Sequence, residues 1–142
     1  MEDNFFTDII GIGATYPIQI QKNELGETGW YPVNGSLELI KNNISSILYY
    51  MIGQRFRQEN FGNRLMECIE EQNTQALSFI IKEFIKTSIG TWEYRILLKR
   101  ILVERINHKI NIEVNYVLKE DNQNNQYLNI SYDSLDNSLK SY

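Results

Sequence analysis

Ile110-Asn111-Ile112-Glu113-Val114-Asn115-Tyr116-Val117-Leu118 carries an apolar residue at every second position. A period of two puts Ile110, Ile112, Val114, Tyr116 and Leu118 on one face of an extended chain. Asn111, Glu113 and Asn115, with Val117, fall on the other. This is the clearest strand in the chain. Just before it, Arg95 to Ile106 is β-branched and apolar, and is expected to pair with it through a turn at Asn107-His108. The alternation there breaks: Ile96 and Leu98 are out of phase with Ile101 and Val103. A β-bulge near Lys99-Arg100 accounts for the break, because one extra residue restores the facing. After the strand, Glu120 to Gln126 reads as a polar loop and Tyr127 to Tyr132 as a last strand. Asp133 to Tyr142 reads as a polar tail that frays.

Upstream the period changes. Leu37, Ile40, Ile44, Ile47, Leu48 and Met51 recur at steps of three and four, which makes one apolar stripe on a helix from about Ser36 to Ile52. Asn34 or Ser36 is placed to cap it and Gly53 to stop it. A short second helix is expected over Asn63 to Glu71. A third runs from Thr74 to Ile89, with Asn73 as its cap, Gly90 as its stop, and a core face of Leu77, Ile80, Ile81, Phe84 and Ile85. Near the start, Tyr16 to Gln21 alternates as a short strand. Asn23, Gly26 and Gly29 then mark a turn, and Trp30 to Val33 is a second extended piece. The expected fold is α+β, with two main helices packed on a small, mostly antiparallel sheet that ends in a C-terminal β-hairpin. One domain is expected over residues 1–132, with the tail at 133–142.

The chain has 142 residues, 42% of them hydrophobic, and a formal net charge of −4. These values suit one folded domain and argue against an electrostatic grip on nucleic acid. Cys68 and His108 are the only residues of their types, too few for a structural zinc site or an internal disulfide. The acidic start, with Glu2, Asp3 and Asp8, does not look like a signal peptide. Apolar runs fall short of the roughly 20 residues that span a bilayer. A cytoplasmic protein with no membrane insertion, cofactor, metal or small-molecule substrate is expected.

Two segments stand out as candidate partner-binding sites. The first is the loop Gly53-Gln54-Arg55-Phe56-Arg57-Gln58-Glu59-Asn60-Phe61-Gly62. It reads either as a rigid docking loop or as punctuation between helices with solvated arginines. In the docking reading, Phe61 anchors it to the core and Arg55 or Arg57 forks onto a partner carboxylate. It is not a phosphate loop, since the Lys-Ser/Thr ending is absent. The second is Trp92-Glu93-Tyr94-Arg95. In an extended chain Glu93 and Arg95 point one way and Trp92 and Tyr94 the other. The pair then either faces a partner together, over buried aromatics, or is an ordinary surface ion pair. Glu59, Glu67, Glu70, Glu71 and Glu93 supply carboxylates for glycoside hydrolysis, but spacing along a chain does not place two of them across a cleft. Cys68 reads as a small core residue, and His108 as a residue of a wet turn.

The order of these elements resembles the small baseplate-wedge proteins of contractile phage tails, and their counterparts in type VI secretion and extracellular contractile injection systems. Gly11-Ile12-Gly13-Ala14-Thr15-Tyr16-Pro17-Ile18 is similar to the family's Gly-rich segment leading into an aromatic-Pro-apolar strand. Gly53-Gln54-Arg55 and Gln58-Glu59-Asn60-Phe61-Gly62 stand where the family has Gly-acid-Arg and Arg-Pro-acid-Phe-Gly. Trp92-Glu93-Tyr94-Arg95-Ile96 stands at its Glu-Pro-Arg triplet. The chain departs from the pattern in lacking the loop proline and in having Tyr94 in place of the triplet's proline, which would fix φ.

The resemblance implies a structural, non-enzymatic subunit: a sheath initiator in a phage-tail-like particle, in sixfold assembly with baseplate wedge proteins and sheath subunits. The Glu-Pro-Arg region would contact the wedge core bundle. An exposed edge strand, either the last one or the one near Tyr16, would take up sheath strands by β-addition. Some family members carry a lysozyme-like label. A peptidoglycan hydrolase and an unrelated protein-binding module remain the alternatives.

Overall fold

The computed structural model describes residues 10–14, 20–22, 24–29, 33–34, 37–69, 71, 74–133 and 138–141. The chain divides into two compact units, Met1–Ser46 and Ile47–Tyr142. In the first, β1 (Ile12–Gly13) pairs antiparallel with β4 (Val33–Asn34), and β2 (Gln21–Lys22) with β3 (Thr28–Gly29). The turn foreseen between Asn23 and Gly29 joins β2 to β3, with Gly26 at φ 79°. Most of the strand expected at Tyr16 to Gln21, and of the piece at Trp30 to Val33, lies outside the described residues.

Helix α1 is Leu37–Tyr49. Ile40, Ile44, Ile47 and Leu48 are all buried, as their spacing demands, and Leu39 joins them. The helix ends before Ile52. Gly53, at φ 91°, therefore shapes the turn beyond the helix and does not stop it.

Helix α2 (Leu65–Ile69) is shorter than the sequence suggests, and helix α3 (Gln75–Trp92) is longer. Thr74, not Asn73, is the N-cap of α3: its side chain accepts from the Leu77 N–H. Gly90 does not end α3 either. The helix runs through it to Trp92, and the Glu93 N–H closes the last turn on the Ile89 carbonyl at 2.8 Å. Glycine costs a helix only about 1 kcal/mol. Burial of Ser88 and Ile89 and the packing of the Trp92 ring outweigh that cost.

The C-terminal sheet runs in the order β5 (Ile96–Ile106), β6 (Lys109–Leu118), β7 (Gln126–Asp133), β8 (Ser138–Ser141), all antiparallel. Asn107, at φ 55°, turns β5 into β6 at the expected place; asparagine tolerates that left-handed conformation. The pairing shifts between Leu98 and Arg100. Across that bulge Ile96 and Leu98 oppose Leu118 and Tyr116, while Ile101 and Val103 oppose Val114 and Ile112. One inner face results. Ile110, Ile112, Val114, Tyr116 and Leu118 are buried on β6, and Leu128, Ile130 and Tyr132 on β7. Each such side chain contributes about 1.5–3 kcal/mol when fully buried. Leu65 of α2 and Ile81 of α3 meet Ile110, Ile112 and Tyr132 around a small gap, so these two helices cover the inner face.

Two expectations about the sheet need correction. Residues 138–141 are not a frayed end but pair with β7 from Ile130↔Ser141 to Asp133↔Ser138. In consequence β7, read from sequence as the last strand, is interior and offers no open edge.

Candidate functional site

The loop Gly53–Gly62 is tied down at both ends. The Gly53 N–H donates to the Glu59 carbonyl at 2.7 Å, and the Phe61 N–H to the Gln58 carbonyl at 2.9 Å. Gly62 sits at φ 115°, where a Cβ would collide with the Tyr50 carbonyl. Only glycine meets both conditions. Next to it is Asn63, 1% exposed. Its Nδ2 donates to the carbonyls of Ile47, Leu48 and Tyr50 at 2.9, 2.7 and 3.0 Å, and its Oδ1 accepts from the Leu65 N–H at 2.8 Å. One side chain thus caps the end of α1 and the start of α2. The Tyr132 hydroxyl adds a further donor to the Leu48 carbonyl. The sequence reading missed Asn63. Its one signal, an asparagine just before an apolar helix, points to the start of α2 but not to the end of α1.

The two candidate segments meet in space. Phe61 is buried, with its ring 5.1 Å from that of Trp92 and 6.0 Å from that of Tyr50. The Arg55 guanidinium lies 4.2 Å over Phe61 and 5.6 Å over Tyr50, and donates to Gln58 Oε1 at 2.9 Å. Arg55 is therefore held within the loop by cation–π and hydrogen-bond contacts. It is not poised as a free fork.

At the end of α3, Arg95 grips Glu93 in a two-pronged pair. Nε donates to Oε1 at 2.6 Å and Nη2 to Oε2 at 2.5 Å. Glu93 is 2% exposed and Tyr94 74%. The acid and base do share a side, as an extended chain requires. Contrary to expectation, the acid is buried and the second aromatic is in solvent. Helix α3 carries through Trp92, and Glu93 (φ −125°, ψ 79°) turns its carboxylate inward. The bond to Glu93 raises Arg95 above its ordinary value. Tyr116, opposite Leu98 on the inner face, lies near enough for the Glu93 carboxylate to act with burial in pushing its phenol up.

Cys68 is buried, and burial pushes its thiol up, away from nucleophile chemistry. Glu67 is engaged by Arg64 at 2.6 Å on the surface. His108 is exposed in the β5–β6 turn. Among the described residues no three His, Cys, Asp or Glu side chains group as metal ligands, and no helix is long and apolar enough to cross a membrane.

Solved structures share this fold. A protein named as a tail lysozyme from Geobacter sulfurreducens aligns with a TM-score of 0.63 and 20% identity, over 71% of this chain and 94% of its own. A chain of the post-contraction pyocin R2 baseplate aligns with a TM-score of 0.58 and 19% identity, over 71% and 99%. A chain of the anti-feeding prophage baseplate aligns with a TM-score of 0.62 and 18% identity, over 97% and 89%. At such identities the likeness is one of fold. No curated protein gives a significant sequence match. The family model for baseplate wedge protein gp25 matches residues 35–123, from before α1 through β6. Both candidate segments fall inside that span, and the chain belongs to the baseplate wedge protein gp25 family.

Proposed function

We propose that this chain is a non-enzymatic structural subunit that joins the core bundle of a baseplate wedge to the first ring of sheath. The observation that carries the reading is the convergence of Gly53–Gly62 and Trp92–Arg95 through the Phe61–Trp92 ring contact. Segments far apart in sequence form one rigid patch. Trp92, Glu93 and Arg95 fix its frame, with Gly53, Arg55, Phe61 and Gly62 beside them, and Tyr94 stands out from it as the exposed aromatic. A preorganised patch loses little entropy on binding. Strand β5 supports the second half of the reading. It has one neighbour, β6, among the described strands, and a long open edge suits strand addition by a sheath subunit. The particle is phage-tail-like and sixfold, as in the sixfold-symmetrised anti-feeding prophage baseplate.

The test is co-expression with the neighbouring wedge and sheath proteins, followed by size-exclusion chromatography. The wild type co-elutes with the wedge at fixed stoichiometry. Tyr94→Ser keeps its melting temperature and loses most wedge binding. Arg95→Glu loses binding and also about 3–5 kcal/mol of stability, because it strands a buried carboxylate. Full wedge binding by Tyr94→Ser and Arg95→Glu together would sink the docking role.

A further inference from the structure

Phe56 is 95% exposed, more than any other large hydrophobic side chain among the described residues. It sits in the loop Gly53–Gly62, whose ends are tied by backbone hydrogen bonds. Around it Met51 N–H donates to Gln54 Oε1 at 3.0 Å, Gln54 N–H to the Met51 carbonyl at 3.2 Å, and Ile52 N–H to the Asn63 carbonyl at 3.1 Å. Arg55, on one side, already occupies the Phe61 and Tyr50 faces. Those faces are therefore taken, and Phe56 stands in water. Arg57, on the other side, is exposed and makes no ion pair among the described residues. A phenylalanine exposed on a loop with tied ends, beside a guanidinium outside any ion pair among the described residues, has the makings of a binding hot spot: an aromatic anchor and a forked cation.

We propose that Phe56 and Arg57 form a plug that enters an apolar pocket on another baseplate protein, with Arg57 gripping a carboxylate on the pocket's rim. The inference rests on the wedge assignment above and adds a second contact to it. Charge selects the rim. The loop holds two cations, Arg55 and Arg57, against one acid, Glu59, on a chain whose net charge is −4. A carboxylate is thus the complementary group for this local basic point. From this loop the sequence suggests Arg57 as one possible fork, and Phe61 and Arg55 as the anchor and the other. In the folded chain Phe61 and Arg55 build the support, and Phe56 and Arg57 are what it displays.

The full chain is purified, and its affinity for the co-expressed wedge complex is measured at low and moderate salt. Phe56→Ser is expected to keep its melting temperature and to weaken binding about 30-fold or more, the loss typical of a hot-spot aromatic. Arg57→Glu is expected to weaken it about tenfold and Arg57→Lys less, since lysine keeps the charge but not the fork. Phe79→Ser, which removes an exposed aromatic from α3, is the control and should change affinity by no more than about twofold. Wild-type affinity in Phe56→Ser, or an equal loss in Phe79→Ser, overturns the plug and leaves the wedge assignment standing. A wild-type chain that never binds the wedge overturns both. A wild-type dimer that Phe56→Ser dissociates, with wedge binding unchanged, would assign Phe56 to a second copy and overturn the plug.

Discussion

Asn63 and Tyr116 are opposite cases of a buried polar side chain. Asn63 spends its amide on three carbonyls and an N–H, so its burial is repaid. The Tyr116 hydroxyl is buried with no hydrogen-bond partner among the described residues, which costs about 1–3 kcal/mol. Burial, and then the Glu93 carboxylate, raise its phenol above the ordinary value of 10.0. The folded chain therefore keeps a proton that the unfolded chain gives up. Stability from this group is intact below about pH 10 and falls as pH rises beyond it. The buried Cys68 thiol acts in the same direction from a lower starting point. Tyr116→Phe should therefore melt no lower than wild type at pH 7, and it should lose less stability between about pH 9.5 and 11. A Phe variant destabilised by more than about 1 kcal/mol at pH 7 would mean that the hydroxyl is bonded after all. Neither role shows in the sequence, where Tyr116 is one more inward residue of an alternating strand.

Strand β6 was the clearest element in the sequence, and β5 beside it was legible down to its bulge. That bulge followed from the phase break between Leu98 and Ile101, because side chains alternate with a period of two and only an inserted residue can reverse their facing. The position of β5 at the edge of the sheet was not legible, since strand order depends on what pairs with β7. The strand-addition proposal can be tested on this element. Adjacent residues of an antiparallel strand aim their N–H groups in opposite directions. Of Leu102→Pro and Val103→Pro, one deletes a ladder bond to β6 and the other only an edge donor. The variant that keeps the higher melting temperature is the edge probe. It is expected to bind the wedge but fail to seed sheath polymerisation. Normal polymerisation by that variant would remove β5 as the template. Helix α3 shows the converse limit. Gly90 reads locally as a stop, and the packing of Trp92 carries the helix past it.

For the chain as a whole, membership of the baseplate wedge protein gp25 family sits beside a fold shared with a protein named as a tail lysozyme. Glu93 is the acid that a hydrolase reading would use. It is 2% exposed, and both its oxygens accept from Arg95. A carboxylate so enclosed cannot approach a glycosidic oxygen, which must come within hydrogen-bond reach. Purified chain is expected to leave a murein suspension turbid, with no difference between wild type and Glu93→Gln. Clearing by the wild type that Glu93→Gln abolishes would reverse the non-enzymatic reading.

Periodicity alone settled the types of the main helices and of strands β5 to β7, the α+β class and the bulge, because burial repeats with the period of a helix or strand and is written into neighbouring residues. Other features rest on residues distant along the chain. The burial of Glu93, the capping of α1 by Asn63, the open edge at β5, and the meeting of Phe61 with Trp92 all depend on contacts that no local pattern encodes. Those long-range contacts brought the two candidate segments together through the Phe61–Trp92 rings and left Phe56 standing in solvent.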